Sequence, residues 1–247
     1  MCCKGAVPKA VTDCLNFGAP ENSDSYWQLK QSIKGLSEAC KLFDTPVISG
    51  NVSLYNENAG IPIDPTPVVG MIGVINDCQN TCSLEFKNEN DLIFLLGESK
   101  DELGGSEYLE IIHKQKRGIP PALDITMEKK IQFLCIKLIE GGLLVSAHDC
   151  SIGGLAVNLA ESCISGNIGA EIELSEKIRS DCNLFGETQS RIIVSINPID
   201  YDRFINIILK EAIPFQRIGT VKGNRLKINQ WINVSLKDIE KAWRRNG

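Results

Sequence analysis

The sequence predicts a mixed α/β (α+β) protein whose helices and β-sheet form separate layers. Segments rich in β-branched residues alternate with segments whose apolar residues recur every three to four positions. Hydrophobic residues make up 43% of the 247 positions and charged residues 23%, which is typical of a globular protein with a real core. A polar stretch at 76–90 interrupts the pattern. We therefore expect two domains, at 1–78 and 79–247.

The first domain is expected to contain three strands and one long helix. Residues 10–13 form a short apolar run, and 46–49 and 68–75 are β-branched segments bounded by proline or polar residues. Between 26 and 43 the apolar residues follow a helical period, and 23–25 offer candidate N-caps. The first domain is thus expected to place a helix between two strands.

The second domain is expected to alternate helices with strands. The predicted strands cover 92–96, 143–147 and 192–196, and the predicted helices cover 126–140, 155–165, 200–212 and 236–243. The sequence Lys222-Gly223-Asn224-Arg225 lies between the apolar runs 215–221 and 226–228. Such a glycine-containing turn between two strands predicts a β-hairpin.

Charge and hydropathy exclude two broad classes of function. The formal net charge is −5 and the isoelectric point is near 5.2, which argues against a basic nucleic-acid-binding surface. No stretch approaches the ~18–20 uninterrupted apolar residues of a membrane-spanning helix. The first five residues lack the apolar core of a signal peptide. We expect a soluble, cytoplasmic protein.

The ten cysteines do not have the spacing of a metal site or a disulfide framework. The sequence contains no C-x-x-C pair and only two histidines, His113 and His148. A structural zinc site needs about four ligands, normally in paired clusters. Most of the cysteines lie in apolar runs, where a reduced cysteine acts as a small hydrophobic residue. We therefore expect reduced thiols that contribute to packing.

Two polar segments follow predicted strands, which is where α/β proteins place their ligands. In the first, Asp13 could face a ligand or could cap backbone amides in a turn. In the second, Gly50 would allow close approach of a ligand, the amide oxygen of Asn51 suits Mg²⁺, and the Ser53 hydroxyl could bind a substrate. From the local pattern alone, a Gly-Asn turn in a hairpin is the better explanation of the second segment. The spacing and lysine of a P-loop are missing.

A third polar segment joins a predicted strand to a predicted helix. His148-Asp149 could take part in acid–base chemistry or in a hydrogen-bonded loop. Gly153-Gly154 at the helix start would leave free N–H groups for an anion. Further along the chain, Glu187 and Arg191 have the i, i+4 spacing of a surface ion pair.

Six segments follow one another in an order that resembles one enzyme family. They are AVTDCLNFGAPE, PVISGNVSLYNE, PTPVVGMIGVI, LGGSEYL, HDCSIGGLAVNLAES and LFGETQSRIIVS. Together they are similar to the C-terminal half of the small bacterial-type phosphoribosylformylglycinamidine synthase, the PurL subunit of purine biosynthesis. The resemblance covers essentially the whole chain, and TDCLNFG and GNVSLYNE are specific to this type of subunit.

The resemblance implies part of an ATP-dependent ligase that forms a C–N bond. The family converts formylglycinamide ribonucleotide and ammonia, taken from glutamine, to formylglycinamidine ribonucleotide, with ATP as co-substrate and Mg²⁺. ATP phosphorylates the amide oxygen, and ammonia then displaces phosphate. Matching the motifs position by position implies that Asp13 and Gly50 bind ATP. It also implies that Asn51 is a Mg²⁺ ligand and that Ser53 contacts the substrate.

The resemblance also implies a fold and a set of partners. The expected fold is PurM/PurL-like: a partial barrel-forming α/β domain followed by an α/β sandwich. The expected partners are an upstream PurL half, a glutaminase subunit of the PurQ type and a small PurS-type subunit, with no nucleic acid and no membrane. Because the match begins inside a domain, we expect an exposed sheet edge and exposed apolar surface.

Two departures from the family pattern limit what this chain can do alone. The family's catalytic histidine, its ATP-contacting lysine and most of its Mg²⁺ ligands belong to the first half, so no catalytic residue is assigned in this chain. His148 does not match the catalytic histidine, and Ile152 stands where the family usually has an acidic residue. We expect the isolated chain to be inactive.

Two other classes of function remain open at this point. The chain could be a truncated, non-catalytic interaction module whose nucleotide-binding loops no longer work. It could also be an intact kinase-like relative, such as a selenophosphate or thiamine-phosphate enzyme, but the glycine- and aspartate-rich N-terminal segment of those enzymes is not found. Mg·ATP binding that depends on Asp13 and Asn51 would distinguish an enzyme from an interaction module.

Overall fold

The computed structural model describes residues 1–246, and the chain divides into two compact units. The first unit contains Met1 and residues 6–76, and the second contains residues 2–5 and the chain from 77 onward. No helix within residues 1–246 is long and apolar enough to cross a membrane.

The first unit is a three-stranded sheet with one long helix. Its elements are β1 (Val7–Asn16), α1 (Ser23–Phe43), β2 (Val47–Ser53), the two-residue strands β3 (Glu57–Asn58) and β4 (Ile61–Pro62), and β5 (Thr66–Val74). The strand order is β2-β1-β5, with β2 parallel and β5 antiparallel to β1. Parallel neighbours need a crossover connection, and α1 provides it between β1 and β2. The predicted helix between two strands is confirmed.

The N-cap of helix α1 is Asn22, one residue before the N-caps predicted at 23–25. The side-chain oxygen of Asn22 accepts hydrogen bonds from the backbone N–H groups of Asp24 at 2.9 Å and Ser25 at 3.2 Å. These bonds satisfy two of the N–H groups that the first turn leaves without helical partners. At the other end, Asp44 adopts a left-handed conformation (φ 53°) and closes the helix.

The sheet of the first unit leaves much of its apolar surface in solvent. Side chains on β2 and β5, including Ile48, Val52, Val68 and Ile72, are 54–62% exposed. A soluble protein that exposes this many large apolar side chains usually binds a partner through them. The expectation of exposed apolar surface on this sheet is confirmed.

The second unit is a seven-stranded mixed sheet covered by helices. In chain order its elements are β6 (Leu92–Leu96), α2 (Glu107–His113), α3 (Ile125–Glu140), β7 (Ser146–Asp149), α4 (Gly154–Gly166), β8 (Ala170–Ile172), α5 (Ser180–Phe185), β9 (Ile192–Ile196), α6 (Tyr201–Glu211), β10 (Phe215–Val221), β11 (Arg225–Ile228), β12 (Ile232–Ser235) and α7 (Leu236–Asn246). The strand order is β12-β11-β8-β10-β6-β9-β7.

The inner strand β6 is apolar at every position because both faces of the sheet are covered. Leu92, Phe94 and Leu96 pack into a core formed with α3 and α6. Ile93 and Leu95 point the other way, into a core formed mainly with α4. A strand buried on both faces reads as a continuous apolar run rather than an alternating one. The predicted α/β sandwich, with separate helical and sheet layers, is confirmed.

The predicted hairpin at 215–228 is wrong. Strand β8 lies between β10 and β11, antiparallel to the first and parallel to the second. The turn at 222–224 instead bonds to the segment that leads into β8: Gly169 N–H donates to Gly223 O at 2.7 Å, and Lys222 N–H donates to Gly169 O at 2.8 Å. A glycine-containing turn therefore reverses the chain here without pairing the strands on either side of it.

The strand predicted at 143–147 begins later, at Ser146. The backbone N–H of Leu143 donates to Leu138 O at 3.0 Å, and this bond closes the end of α3. Leu143 is therefore apolar because it seals the last turn of a helix. The apolar run thus covers a helix end and a strand start.

The buried thiols should be chemically inert in the folded protein. Burial raises the pKa of Cys150 and of Cys163 from 9.0 to about 12, so almost no thiolate, the reactive form, exists near neutral pH. We expect iodoacetamide at pH 8 to modify the exposed Cys78 and to leave Cys150 and Cys163 unmodified until urea unfolds the chain. Peptide mass spectrometry checks this result, and modification of Cys150 at the rate of Cys78 in the native protein would contradict it.

Candidate functional site

The pairing of β1 with β2 sets the predicted site residues side by side. Asp13 lies opposite Gly50, and Asn16 lies opposite Ser53, while Asn51 faces the neighbouring residue of β1. All of these positions lie within regular strands, so the two turns that could have explained the segments are not formed. The crossover through α1 brings together two segments that are about 37 residues apart.

Asp13 and Gly50 are in direct contact. A Cβ atom at position 50 would lie 2.8 Å from Cγ of Asp13 and would overlap its Oδ1. Only glycine therefore allows the Asp13 side chain to lie across the backbone of β2. In the part of the chain that the structure describes, the Asp13 carboxylate has no hydrogen bond or ion pair. This half-buried carboxylate is free to accept hydrogen bonds from a ligand.

Asn51 and Ser53 lie on the opposite face of the sheet from Asp13 and Gly50. Successive residues of a strand point to alternate faces, and the register pairs Asp13 with Gly50 on one face and Asn16 with Ser53 on the other. The structure thus brings the four predicted residues to one pair of strands, but not to one face. Because β2 is an edge strand of this sheet, a ligand that passes around the edge can reach both faces.

The loop after β2 is organised by Asn56, which the sequence analysis did not single out. Its Nδ2 donates to Phe17 O at 3.0 Å and to Ser53 O at 2.9 Å, and its Oδ1 accepts a hydrogen bond from Ser53 Oγ at 3.1 Å. The Ser53 hydroxyl is therefore held in one orientation while its lone pairs stay available. An asparagine three residues after a candidate serine was the available signal.

His148 is held by α4 and does not pair with Asp149. Its Nε2 lies 3.3 Å from Glu161 Oε2, and its Nδ1 lies 3.2 Å from Asn158 O and 3.2 Å from Ser162 Oγ. Its side chain is only 13% exposed. The imidazole thus connects the end of β7 to α4, and the hydrogen-bonded loop is the better description of this segment.

The N–H groups of Gly153 and Gly154, at the start of α4, are not free for an anion. Glu187 Oε1 accepts hydrogen bonds from Gly153 N–H at 2.9 Å and from Glu107 N–H at 3.0 Å. Gly154 N–H donates to Ser151 O at 3.1 Å. A side-chain carboxylate of the chain itself therefore occupies the position that an anionic ligand would take.

The predicted surface ion pair between Glu187 and Arg191 is wrong. Arg191 is 2% exposed, and its guanidinium donates to Thr188 O at 2.9 Å, Ser99 Oγ at 2.9 Å and Gly186 O at 2.6 Å. The i, i+4 rule applies to helices, whereas α5 ends at Phe185, before this segment. Arg191 is a buried structural residue that fixes the loop carrying Glu187.

Two family models together cover most of the chain. The AIR synthase related protein, C-terminal domain, matches residues 88–229, and the AIR synthase related protein, N-terminal domain, matches residues 1–75. These ranges follow the two units of the structure.

Curated relatives share nearly half of their matched residues with this chain. The PurL subunit of phosphoribosylformylglycinamidine synthase from Caldanaerobacter subterraneus subsp. tengcongensis is 47% identical over 99% of this chain and 34% of its own length. The same subunit from Alkaliphilus metalliredigens is 47% identical over 98% of this chain and 33% of its own length. The chain therefore spans about a third of the length of these relatives.

Solved structures share the fold. T. maritima PurL complexed with FGAR superposes with a TM-score of 0.75 at 18% identity, over 96% of this chain and 40% of that one. T. maritima PurL complexed with ATP superposes with a TM-score of 0.69 at 18% identity, over 96% of this chain and 38% of that one. PurLQS from Thermotoga maritima superposes with a TM-score of 0.72 at 18% identity, over 95% of this chain and 38% of that one. The PurM/PurL-like fold is thus confirmed, and the chain belongs to the AIR synthase related family, as the counterpart of the C-terminal part of PurL subunits.

Proposed function

We propose that this chain is the C-terminal part of an ATP-dependent synthetase that converts formylglycinamide ribonucleotide and ammonia to formylglycinamidine ribonucleotide. The observation that carries the proposal is the contact of Asp13 with Gly50, the two residues to which the family resemblance assigns ATP binding. The Asp13 carboxylate lies over the Gly50 backbone and has no partner within the described residues. The relatives are subunits of this synthase, and one neighbouring PurL structure is named as a complex with ATP.

Asp13 is proposed to bind the nucleotide through hydrogen-bond donors. A carboxylate repels phosphate oxygens, so its favourable partners are the hydroxyl or amino groups of ATP. Because Gly50 has no side chain, the Asp13 carboxylate can lie directly over the backbone of β2. Together these residues hold the nucleotide, so that its γ-phosphate can be placed in line with the substrate amide oxygen.

Asn51 is proposed to contribute one ligand to Mg²⁺. Its exposed side-chain amide has no hydrogen-bond partner within residues 1–246, and an amide oxygen is a hard ligand that suits Mg²⁺. In the same range, no group of three or more histidine, cysteine, aspartate or glutamate side chains is placed to hold a metal. The remaining ligands would come from ATP, water and the upstream half. When bound, Mg²⁺ neutralises the charge of the phosphates.

Ser53 is proposed to position the substrate. The hydrogen bond from its hydroxyl to Asn56 Oδ1 fixes the proton, which leaves the oxygen as an acceptor for a substrate N–H or O–H group. Because Ser53 and Asn51 point to the same face of β2, the substrate and Mg²⁺ would approach from one side of the edge strand.

The proposed partners are an upstream PurL half, a PurQ-type glutaminase and a PurS-type small subunit, in the cytoplasm. The upstream half would supply the catalytic histidine and cover the exposed apolar residues of β2 and β5. A neighbouring structure is named as a complex of PurL with Q and S subunits. Glutamine hydrolysis is assigned to the glutaminase.

Gly50→Ala is expected to weaken Mg·ATP binding by an assembly of this chain with an upstream half by about tenfold, which is ~1.4 kcal/mol. The added Cβ would displace the Asp13 carboxylate from its place over β2. The matched control is Gly35→Ala on α1, where a Cβ meets no atom within 4 Å. Equilibrium ATP titration measures the effect, and equal affinities of both variants would contradict it.

Genetic complementation tests the proposed function in cells. This chain, produced together with an upstream PurL half, should restore growth without purines to a bacterium that lacks PurL. Neither chain alone should do so, because the catalytic histidine and Asp13 lie on different chains. Growth supported by the upstream half alone, or equally by the Asp13→Ala chain, would refute the proposal.

A further inference from the structure

A polar cleft of about 750 Å³ lies entirely in the second unit, and none of the residues assigned to ATP lines it. It is formed by the chain around α2, by the loop that follows α2 and by the start of α5. Ligand-binding clefts in proteins have typical volumes of roughly 300–1,000 Å³. The cleft is therefore large enough for a small metabolite.

Two charged side chains at this cleft, the exposed Arg117 and Glu102, have unused hydrogen-bonding capacity. The Arg117 guanidinium has no hydrogen bond or ion pair in the described chain. Glu102 Oε2 is buried and also has no hydrogen-bond partner, while Oε1 accepts only a long bond from Ala122 N–H at 3.4 Å. A buried carboxylate oxygen without a donor costs free energy, and a ligand hydroxyl would recover part of it once the Glu102 side chain turns this oxygen toward the cleft.

The other charged residues of the cleft already have partners within the chain. Arg179 forms two hydrogen bonds to Asp181, at 3.1 and 2.5 Å. Asp101 Oδ1 accepts a hydrogen bond from Cys182 Sγ at 2.7 Å and keeps its remaining acceptor capacity. Among the described residues of the cleft, Arg117 thus has a guanidinium without any partner, and Glu102 and Asp101 keep unused acceptor capacity.

The loop that carries Arg117 is anchored to the wall of the cleft. Gly105 N–H donates to Arg117 O at 3.0 Å. A Cβ on Gly104 would overlap the backbone oxygen of Ile119, so the loop lies directly on this glycine. These contacts fix the backbone of the loop that carries the exposed Arg117 side chain, which lines the cleft together with Glu102 and Asp101.

An aromatic side chain completes the cleft. The Tyr108 ring stacks on Phe185 with a centroid distance of 4.9 Å and an interplanar angle of 2°. Its other contact is edge-on to His113 at 5.2 Å. The stack fixes Tyr108 as a rigid apolar surface beside the charged groups, where the C–H face of a sugar ring could pack.

We propose that this cleft binds a phosphorylated sugar, either free or as the ribose phosphate of a nucleotide. The planar guanidinium of Arg117 binds the phosphate with two hydrogen bonds. Glu102 and Asp101 accept hydrogen bonds from the sugar hydroxyls, and Tyr108 packs against the ring. In this arrangement the cationic side chain binds the anionic phosphate, and the carboxylates bind hydroxyl donors.

Isothermal titration of the 247-residue chain with ribose 5-phosphate tests the proposal. Arg117→Ala and Glu102→Gln should each weaken binding by about tenfold, the loss expected for one charge-assisted hydrogen bond. The matched control is Arg203→Ala, because Arg203 lies outside the cleft and donates only a 3.3 Å bond to Gly141 O. Asp13→Asn should leave this binding unchanged, which separates it from the proposed ATP site.

The ligands and variants together decide between outcomes. Ribose without phosphate should bind far more weakly than ribose 5-phosphate. If AMP binds more tightly than ribose 5-phosphate, and Arg117→Ala and Glu102→Gln weaken both, the sugar phosphate of the natural ligand belongs to a nucleotide. Circular dichroism checks that each variant is folded. Absence of binding by the wild-type chain, or binding that neither Arg117→Ala nor Glu102→Gln weakens, would overturn the proposal.

Discussion

Asp13→Ala is expected to raise the ATP concentration needed for half-maximal turnover by an assembly of this chain with an upstream half, by about 10- to 100-fold. The substitution removes a carboxylate that has no partner in the described chain and is placed to accept hydrogen bonds from the nucleotide. Hydrogen bonds to charged groups contribute roughly 1.5–3 kcal/mol, which corresponds to this range.

The readout for Asp13 is steady-state kinetics with ATP as the varied substrate. The matched control is Asp24→Ala, which removes an exposed carboxylate from the first turn of α1 in the same unit. It should change the ATP dependence by less than about twofold, since Asp24 lies on α1, outside the two strands that carry the proposed ATP residues, and surface substitutions of this kind leave the fold intact. An unchanged ATP dependence in Asp13→Ala would exclude this residue from the nucleotide site.

Arg191→Ala is expected to lower the free energy of unfolding by about 3 kcal/mol. The guanidinium is 2% exposed and donates three hydrogen bonds, two of them to backbone carbonyls of the loop before β9. Its loss leaves those carbonyls buried without donors and opens a cavity beside them. The loop that carries Glu187, the carboxylate bound to Gly153 N–H, should loosen as well.

Urea denaturation measures the effect, and two further variants separate its causes. Arg191→Met fills most of the volume but makes no hydrogen bond, so it should remain destabilised by most of the same amount. Arg203→Ala removes an exposed arginine and should cost less than about 0.5 kcal/mol. Full recovery of stability in Arg191→Met would show that packing, and not hydrogen bonding, is the role of this residue.

The parts of the fold that the sequence predicts correctly are those set by local pattern. The predicted strands 92–96 and 192–196 agree with β6 and β9 because a short apolar run bounded by polar residues has few other structures. The pairing error at 215–228 arises because β8, only three residues long, comes from a distant part of the chain. Strand order depends on such non-local contacts, which no local turn signal contains.

In the candidate site, too, the residue types follow from the local sequence, whereas their contacts depend on non-local pairing. The chemistry of Asp13 and Gly50 can be read from their residue types, but their contact depends on the parallel register of β1 and β2. Glu187 and Arg191 do not form the predicted ion pair because an i, i+4 spacing brings two side chains together only in a helix, and this segment is irregular. The division of the four site residues between two faces of the sheet likewise follows from the register of the strands.

Formation of formylglycinamidine ribonucleotide by two separately produced chains tests the central claim most directly. The assay would combine this chain with an upstream PurL half, Mg·ATP, formylglycinamide ribonucleotide and ammonium chloride, which replaces the glutaminase. Turnover that needs both chains and falls sharply in Asp13→Ala is the predicted result. Turnover by this chain alone, or no turnover when both chains are folded and bound to each other, would contradict a synthetase whose ATP site includes residues of this chain.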